Sequence, residues 1–119
     1  MRGSSEPSTS TIWVAGKPKP KERPRFSRNG HSYTPKGTQD YESLVRQAWV
    51  DGGGELLEGP CAITMDFTVD GCMVNVTPVD WMSKMRGDLD NYSKAIADGL
   101  QGVAYLNDKQ IVRMTAEKR

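Results

Sequence analysis

The sequence is poor in the residues that bind zinc or form disulfides, with one histidine, His31, and two cysteines, Cys61 and Cys72. One histidine excludes multi-histidine zinc sites, and two cysteines cannot form a disulfide framework, which favours a reduced, cytosolic setting. No apolar run approaches the roughly 20 residues that cross a membrane. Residues 1–11 also lack the apolar stretch of a secretory signal. These absences exclude membrane-spanning, disulfide-scaffold and zinc-finger proteins.

What is present is the composition of a small globular protein. The chain has 119 residues, of which 36% are hydrophobic and 26% charged, enough for one compact domain with a modest core. Residues 1–11 are rich in serine and threonine and offer little to bury, so we expect a flexible N-terminal tail there. Residues 12–119 are expected to form a single domain.

The net charge of +1 hides a division of the chain into a basic segment, residues 17–36, and an acidic remainder. The basic segment has seven cations and one acid, a net charge of +6, and the rest has a net charge of −5. Concentrated positive charge attracts polyanions, above all the phosphate backbone of nucleic acid, although a solvated basic loop is the alternative. The candidate DNA-binding residues are Lys17, Lys19, Lys21, Arg23, Arg25, Arg28 and Lys36.

The spacing of apolar residues predicts a strand, an extended segment and a helix in the first half of the chain. Ile12 and Val14 lie on one side of residues 11–16 and Trp13 on the other, as in a β-strand. The prolines at positions 18, 20 and 24 forbid a helix in that part of the basic segment. Thr34 and Pro35 then predict a helix start, a hydroxyl cap followed by proline in the first turn.

The body of this helix is predicted from an apolar stripe at helical spacing, which is followed by three consecutive glycines that end it. A β-hairpin should come next. Residues 63–69 alternate as in a half-buried strand, Asp70 and Gly71 signal the turn, and residues 73–77 form the returning strand. The helical stripe consists of Tyr41, Leu44, Val45, Ala48 and Trp49.

A second helix is predicted to begin near Asp88 or Asp90 and to end near Gly102. Residues 111–115 are apolar and β-branched and predict a last strand. The order of elements indicates an α/β fold of the α+β type, a small mixed β-sheet with two main helices packed against it. The predicted core face of the second helix consists of Leu89, Tyr92, Ile96, Leu100 and Val103.

The start of the second helix carries the most specific chemistry. Asp88 and Asp90 stand two residues apart on a chain leading into a helix, so both carboxylates can point the same way. Two adjacent carboxylates repel unless a cation lies between them, which favours a hard divalent metal. Lys94 and Asp98 follow at helical spacing from Asp90. The alternative is structural, with Asp90 as a helix cap, Lys94 as its partner and Asp98 as a solvated charge.

These motifs resemble those of the RusA family of Holliday-junction resolvases. The resemblance rests on Asp-Leu-Asp-Asn-x-x-Lys at residues 88–94, Asp-Gly-Leu at 98–100 and Asn-Asp-Lys-Gln-Ile at 107–111. Pro-Arg-Phe at 24–26 and Tyr-Thr-Pro at 33–35 are similar to the N-terminal region of phage-type members. Two separated signatures occur in the family's order and cover most of the chain.

The resemblance implies a homodimeric, Mg²⁺-dependent endonuclease (with Mn²⁺ as a substitute) that nicks four-way DNA junctions symmetrically during recombination and repair. It assigns catalysis to Asp88, Asp90, Lys94 and Asp108. The three aspartates would supply oxygen ligands to Mg²⁺, and Lys94 would neutralise the phosphate or orient the attacking water. It also implies a cytoplasmic protein of a bacterium, or of a phage or prophage within one, without a nucleotide cofactor.

Other functions share some of these features. A nuclease for forks or flaps would use the same catalytic residues, and a non-catalytic module would bind branched DNA through the basic segment alone. A sugar-nucleotide transferase also uses Asp-x-Asp, but 119 residues leave little room for its nucleotide domain. Trp81 and Met82, just before the acids, are candidates either for stacking on unpaired bases or for covering a local core.

Overall fold

The computed structural model describes residues 9–21 and 25–119. The chain divides into two compact units, Met1–Asp80 and Trp81–Arg119, and each is described by itself. The predicted tail lies outside the described residues as far as residue 8, and Ser10 and Thr11 already belong to the first strand. The single domain expected over residues 12–119 stays a prediction.

The first unit contains a three-stranded sheet of order β1-β5-β4 and a two-stranded sheet of β2 and β3, both antiparallel. The hairpin between β4 and β5 is confirmed, although its turn lies at Val69 and Asp70, and Gly71 already begins β5. The elements of the unit are β1 (Ser10–Ala15), β2 (Arg25–Phe26), β3 (Ser32–Tyr33), α1 (Lys36–Asp51), β4 (Cys61–Thr68) and β5 (Gly71–Pro78).

The core of this unit lies between α1 and the β1–β5 part of the sheet. Ile12, Val14 and Cys72 are buried, and the apolar stripe of α1 packs against them. Trp13, on the opposite side of β1, is 45% exposed, which confirms the predicted alternation. Of the two cysteines, Cys72 is buried in this core and Cys61 is exposed.

Strand β4 is not half-buried as predicted. Ile63, Met65 and Phe67 pair with β5 residues on the face that carries the core, yet they are 54%, 53% and 60% exposed. The pattern indicated the correct strand, but burial depends on what covers that face. Helix α1 packs on β1, at the other edge of the sheet.

Helix α1 begins one residue later than the predicted cap requires. Pro35 is its N-cap residue and no side chain caps the helix, so the hydroxyl cap predicted at Thr34 is wrong. Thr34 contributes its carbonyl instead, which accepts a hydrogen bond of 2.6 Å from Gln39 Nε2. At the other end the predicted glycine stop is confirmed, because Gly52 caps the helix and Gly53 turns the chain with a φ of +75°.

The second unit contains helix α2 (Leu89–Leu100) and a 3₁₀ helix, Asp108–Gln110. The predicted helix end near Gly102 is confirmed, because α2 ends at Leu100 and Gly102 has a φ of +90°. The predicted core face of α2 stays largely exposed, with Ile96 at 67%, because it lines an open groove of about 340 Å³ beside residues 111–117.

Residues 111–117 have no regular secondary structure, so the strand predicted at 111–115 is wrong. Apolar β-branched residues favour a strand, but a strand also needs a hydrogen-bonded partner.

The α+β class is confirmed by the antiparallel sheet and the two helices. The prediction of a mixed sheet is wrong, because every pair of named strands in the described residues is antiparallel. The parallel bridge between Gln101 and Tyr105 is isolated and belongs to no sheet. Within the same residues, neither helix combines the length and the apolar character that crossing a membrane needs.

Candidate active site and nucleic-acid interface

The Asp-x-Asp motif lies at the N-terminus of α2. Asp88 is the N-cap residue and Asp90 lies in the first turn, where the helix dipole favours negative charge. The carbonyl of Asp88 accepts hydrogen bonds of 3.1 Å from the backbone N–H groups of Asn91 and Tyr92, so the residue caps the helix through its backbone. Its side chain makes no capping hydrogen bond, which leaves the carboxylate free for another partner.

The second acidic motif builds a turn that presents Asp108. The side chain of Asn107 accepts the N–H of Lys109 at 2.9 Å, and Gln110 Oε1 accepts the N–H of Asn107 at 3.0 Å. This reciprocal capping box holds the 3₁₀ helix in shape. The asparagine and glutamine of the motif thus hydrogen-bond to the backbone, while Asp108 is exposed and its carboxylate has no partner among the described residues.

Lys94 pairs with a different acid from the one the structural alternative named. Its Nζ lies 3.6 Å from Asp98 Oδ2, one turn further along α2, and the structure records no ion pair with Asp90. Both side chains of the pair are more than half exposed, so the pair contributes little to stability. The Lys94 ammonium is therefore held near the motif by a weak contact, in which another anion can replace the Asp98 carboxylate.

The three motif aspartates remain separate from the ion-pair network. In the part of the chain that the structure describes, the carboxylates of Asp88, Asp90 and Asp108 make no hydrogen bond or ion pair, whereas Asp98 is paired. The same residues hold no group of three or more acid, histidine or cysteine side chains arranged around one metal position. The donors fit Mg²⁺ in chemistry, since it prefers carboxylate oxygens and retains several waters. The structure does not assemble them into one cluster.

Gly87 fixes the chain immediately before the first aspartate. Its N–H donates a hydrogen bond of 3.2 Å to Tyr92 Oη, and its carbonyl accepts one of 2.9 Å from Lys118 Nζ. Sequence spacing assigned Tyr92 to the apolar face of α2 and gave Lys118 no role. A tyrosine in an otherwise aliphatic stripe is the signal that a hydroxyl has a partner. No local pattern identifies Lys118, which lies 31 positions from Gly87.

The basic segment exposes most of its predicted DNA-binding cations. Two of them already have acidic partners on α1, since Lys21 Nζ lies 3.2 Å from Glu42 and Lys36 Nζ lies 3.3 Å from Asp40. Arg23 lies outside the described residues, and Arg25 is placed through the pairing of its backbone with Tyr33. The exposed cations for which the described residues offer no ion pair are Lys17, Lys19 and Arg28.

The β2–β3 hairpin within this segment was not predicted. Its strands have two residues each, too few to show an alternation. The backbone N–H of Ser27 donates to the carbonyl of His31 at 2.8 Å and closes the loop, in which Gly30 has a φ of +79°. Arg28 and His31 are exposed on this loop, so the hairpin presents cationic and polar side chains to solvent.

Trp81 and Met82 are 41% and 72% exposed, and neither belongs to the buried core of the described residues. The guanidinium of Arg119 lies over the Trp81 ring, 5.9 Å from its centroid. This distance is within the range of a cation–π contact. The tryptophan thus has a partner on one side of its ring.

The family model for endodeoxyribonuclease RusA matches residues 15–119, which include both acidic motifs and the basic segment. The match confirms the family resemblance seen in the sequence. Neither a curated protein nor a solved structure matches the chain.

Proposed function

The chain belongs to the RusA endodeoxyribonuclease family, and we propose that it is an Mg²⁺-dependent nuclease that resolves four-way DNA junctions by paired symmetric nicks. One observation carries the proposal beyond the family. The three aspartates of the two family motifs have carboxylates without a protein partner in the described residues, whereas the nearby Asp98 is paired with Lys94. Exposed carboxylates held on capped backbone turns are available as metal ligands.

In this proposal Asp88, Asp90 and Asp108 would hold the metal. When bound, it supplies a nucleophilic water and relieves negative charge on the phosphate. Lys94 cannot serve as a ligand while protonated, and its ammonium neutralises the scissile phosphate or orients the attacking water. The exposed pair with Asp98 supports this role, because an incoming phosphate can replace one exposed carboxylate.

The basic segment is proposed to bind the phosphate backbone of the junction arms. Lys17, Lys19 and Arg28 are exposed and without an acidic partner in the described residues, which favours direct phosphate contacts. Phosphate contacts orient the DNA without reading its sequence. Selection of a branched substrate therefore has to come from its shape.

The proposal includes a homodimer and action in the cytoplasm of a bacterial cell. Resolution requires two nicks related by symmetry, and a two-fold dimer presents two equivalent sites. Recombination and repair of DNA are the processes that such cleavage serves.

The proposal is tested by cleavage of a labelled four-way junction against linear duplex, in Mg²⁺ and in EDTA. We expect Mg²⁺-dependent cutting of the junction by the wild type. The variant Asp90→Asn should lose cutting but keep junction binding. The matched control is Asp66→Asn, which changes an exposed aspartate on β4, outside both motifs, and should cut at the wild-type rate.

Each other outcome identifies a different function. Equal cutting of junction and duplex would keep the site but contradict junction selectivity, and faster cutting of forks or flaps would favour those substrates. Binding of the junction without cleavage in Mg²⁺ or Mn²⁺ would favour a non-catalytic module. Wild-type cutting by Asp90→Asn would contradict the proposed metal site.

A further inference from the structure

Residues at the end of the sequence contact the segment that leads into α2. Lys118 Nζ donates a hydrogen bond of 2.9 Å to the carbonyl oxygen of Gly87. Ser83 Oγ donates one of 3.4 Å to the carbonyl oxygen of Arg119, whose guanidinium lies over Trp81. These contacts all fall within the second unit and join residues 81–87 to residues 118 and 119.

The hydrogen bond to Gly87 is the shorter of the two hydrogen bonds in this group of contacts. Both backbone polar groups of Gly87 are engaged, the N–H by Tyr92 Oη at 3.2 Å and the carbonyl by Lys118 at 2.9 Å. A Cβ at this position would lie 2.7 Å from Cζ of Tyr92, so the ring also closes the space beside the glycine. Gly87 is thereby held by two side chains, those of Tyr92 and Lys118.

Asp88 depends on its backbone for its position. Its side chain makes no capping hydrogen bond and has no partner in the described residues, so the position of its carboxylate follows from the chain before and after it. The chain after it is fixed by the first turn of α2, whose N–H groups bond to the Asp88 carbonyl. The chain before it is fixed at Gly87, and there the charged donor is Lys118.

We propose that Lys118 is a positioning residue for the cleavage reaction, which acts by holding the Gly87 carbonyl and so fixing Asp88. The inference rests on the proposed function and adds a residue that lies outside both acidic motifs. A hydrogen bond from an ammonium to a carbonyl is charge-assisted and stronger than a neutral one. Lys118 is half-buried, so its bond is less exposed to competing water than the Lys94–Asp98 pair.

The test compares three variants of the full chain. Lys118→Met keeps the length of the side chain and removes the donor, and Lys118→Arg keeps a charged donor. Lys84→Met is the matched control, because Lys84 is an exposed lysine of the same unit with no hydrogen bond or ion pair to the described residues. The readouts are single-turnover cleavage of the four-way junction, junction binding in EDTA and amide hydrogen exchange of residues 84–90.

We expect Lys118→Met to slow single-turnover cleavage by about 10-fold to 100-fold, since small misplacements of catalytic groups cost this much. Junction binding in EDTA should stay within about twofold, because Lys118 is not among the proposed phosphate contacts. Amide exchange should speed up across residues 84–90. Lys118→Arg should recover most of the cleavage rate, and Lys84→Met should behave as the wild type in cleavage, in junction binding and in the amide exchange of residues 86–90, which lie beyond the substituted position.

Failure of this inference and failure of the proposed function have different signatures. If Lys118→Met cleaves the junction at the wild-type rate, the role of Lys118 alone is overturned. An arginine variant as slow as the methionine variant, or slow cleavage with unchanged amide exchange, overturns it too. Absence of junction cleavage by the wild type contradicts the proposed function itself, and the role of Lys118 with it.

Discussion

At the scale of the residue, the acids of the candidate site differ in what they contact. Asp98 is engaged by Lys94, whereas the carboxylates of Asp88, Asp90 and Asp108 have no partner in the described residues. In the second motif, Asn107 and Gln110 provide the hydrogen bonds that shape the turn, and the Asp108 side chain takes no part in them. The second motif therefore contains both side chains that hydrogen-bond to the backbone and an aspartate whose side chain faces solvent.

Lys94→Ala tests the role of the motif lysine. We expect single-turnover cleavage to fall by about 10²–10³-fold, the usual cost of removing one group that stabilises developing charge. Asp98→Asn should change cleavage by less than about fivefold, since exposed pairs contribute under about 1 kcal/mol. Lys84→Ala is the control. Cleavage of the junction at the wild-type rate by Lys94→Ala would show that the lysine is only a helix-surface charge.

The sequence predicted the motif residues but not their support. The short spacing of Asp88, Asp90 and Lys94 singled out the first motif, whereas Asp108 was assigned only through the resemblance to the RusA family. The bond from Lys118 to Gly87 joins residues 31 positions apart, and no periodicity encodes such a contact. Tyr92 was assigned to an apolar stripe, because helical spacing shows which face a side chain is on but does not reveal a hydroxyl's partner.

At the scale of the element, long periodic segments were predicted well and short ones were not. Helices α1 and α2 and the β4–β5 hairpin follow from apolar spacing and turn residues. Strands β2 and β3 are too short to carry a pattern, and residues 111–115 carry the pattern of a strand without becoming one. Propensity is local, whereas strand formation depends on a partner elsewhere in the chain.

The basic segment gives a prediction at this scale. If Arg28 contacts a phosphate, Arg28→Gln should reduce the slope of log affinity against log salt concentration by about 0.9, the release of one counterion on B-DNA. Arg46→Gln, which changes an exposed arginine on α1, should leave the slope unchanged. The measurement is junction binding in EDTA over a range of salt concentrations. An unchanged slope for Arg28→Gln would remove that residue from the proposed interface.

At the scale of the whole molecule, charge is divided more sharply than the net value of +1 suggests. The basic segment lies in the first unit and the acidic motifs lie in the second. A basic surface for the DNA arms and acidic groups for a metal are the two requirements of a metal-dependent nuclease. The family match spans both. The distribution of charged residues along the sequence revealed the charge division, and only the motifs gave it a function.

The most direct measurement maps the nicks on a four-way junction whose strands are labelled one at a time. With Mg²⁺, the account predicts paired nicks at symmetry-related positions in two strands of like polarity, as two equivalent sites would make. It also predicts that Asp108→Asn abolishes both nicks together. Nicks that are unpaired, that occur equally in linear duplex, or that persist in Asp108→Asn would contradict the account.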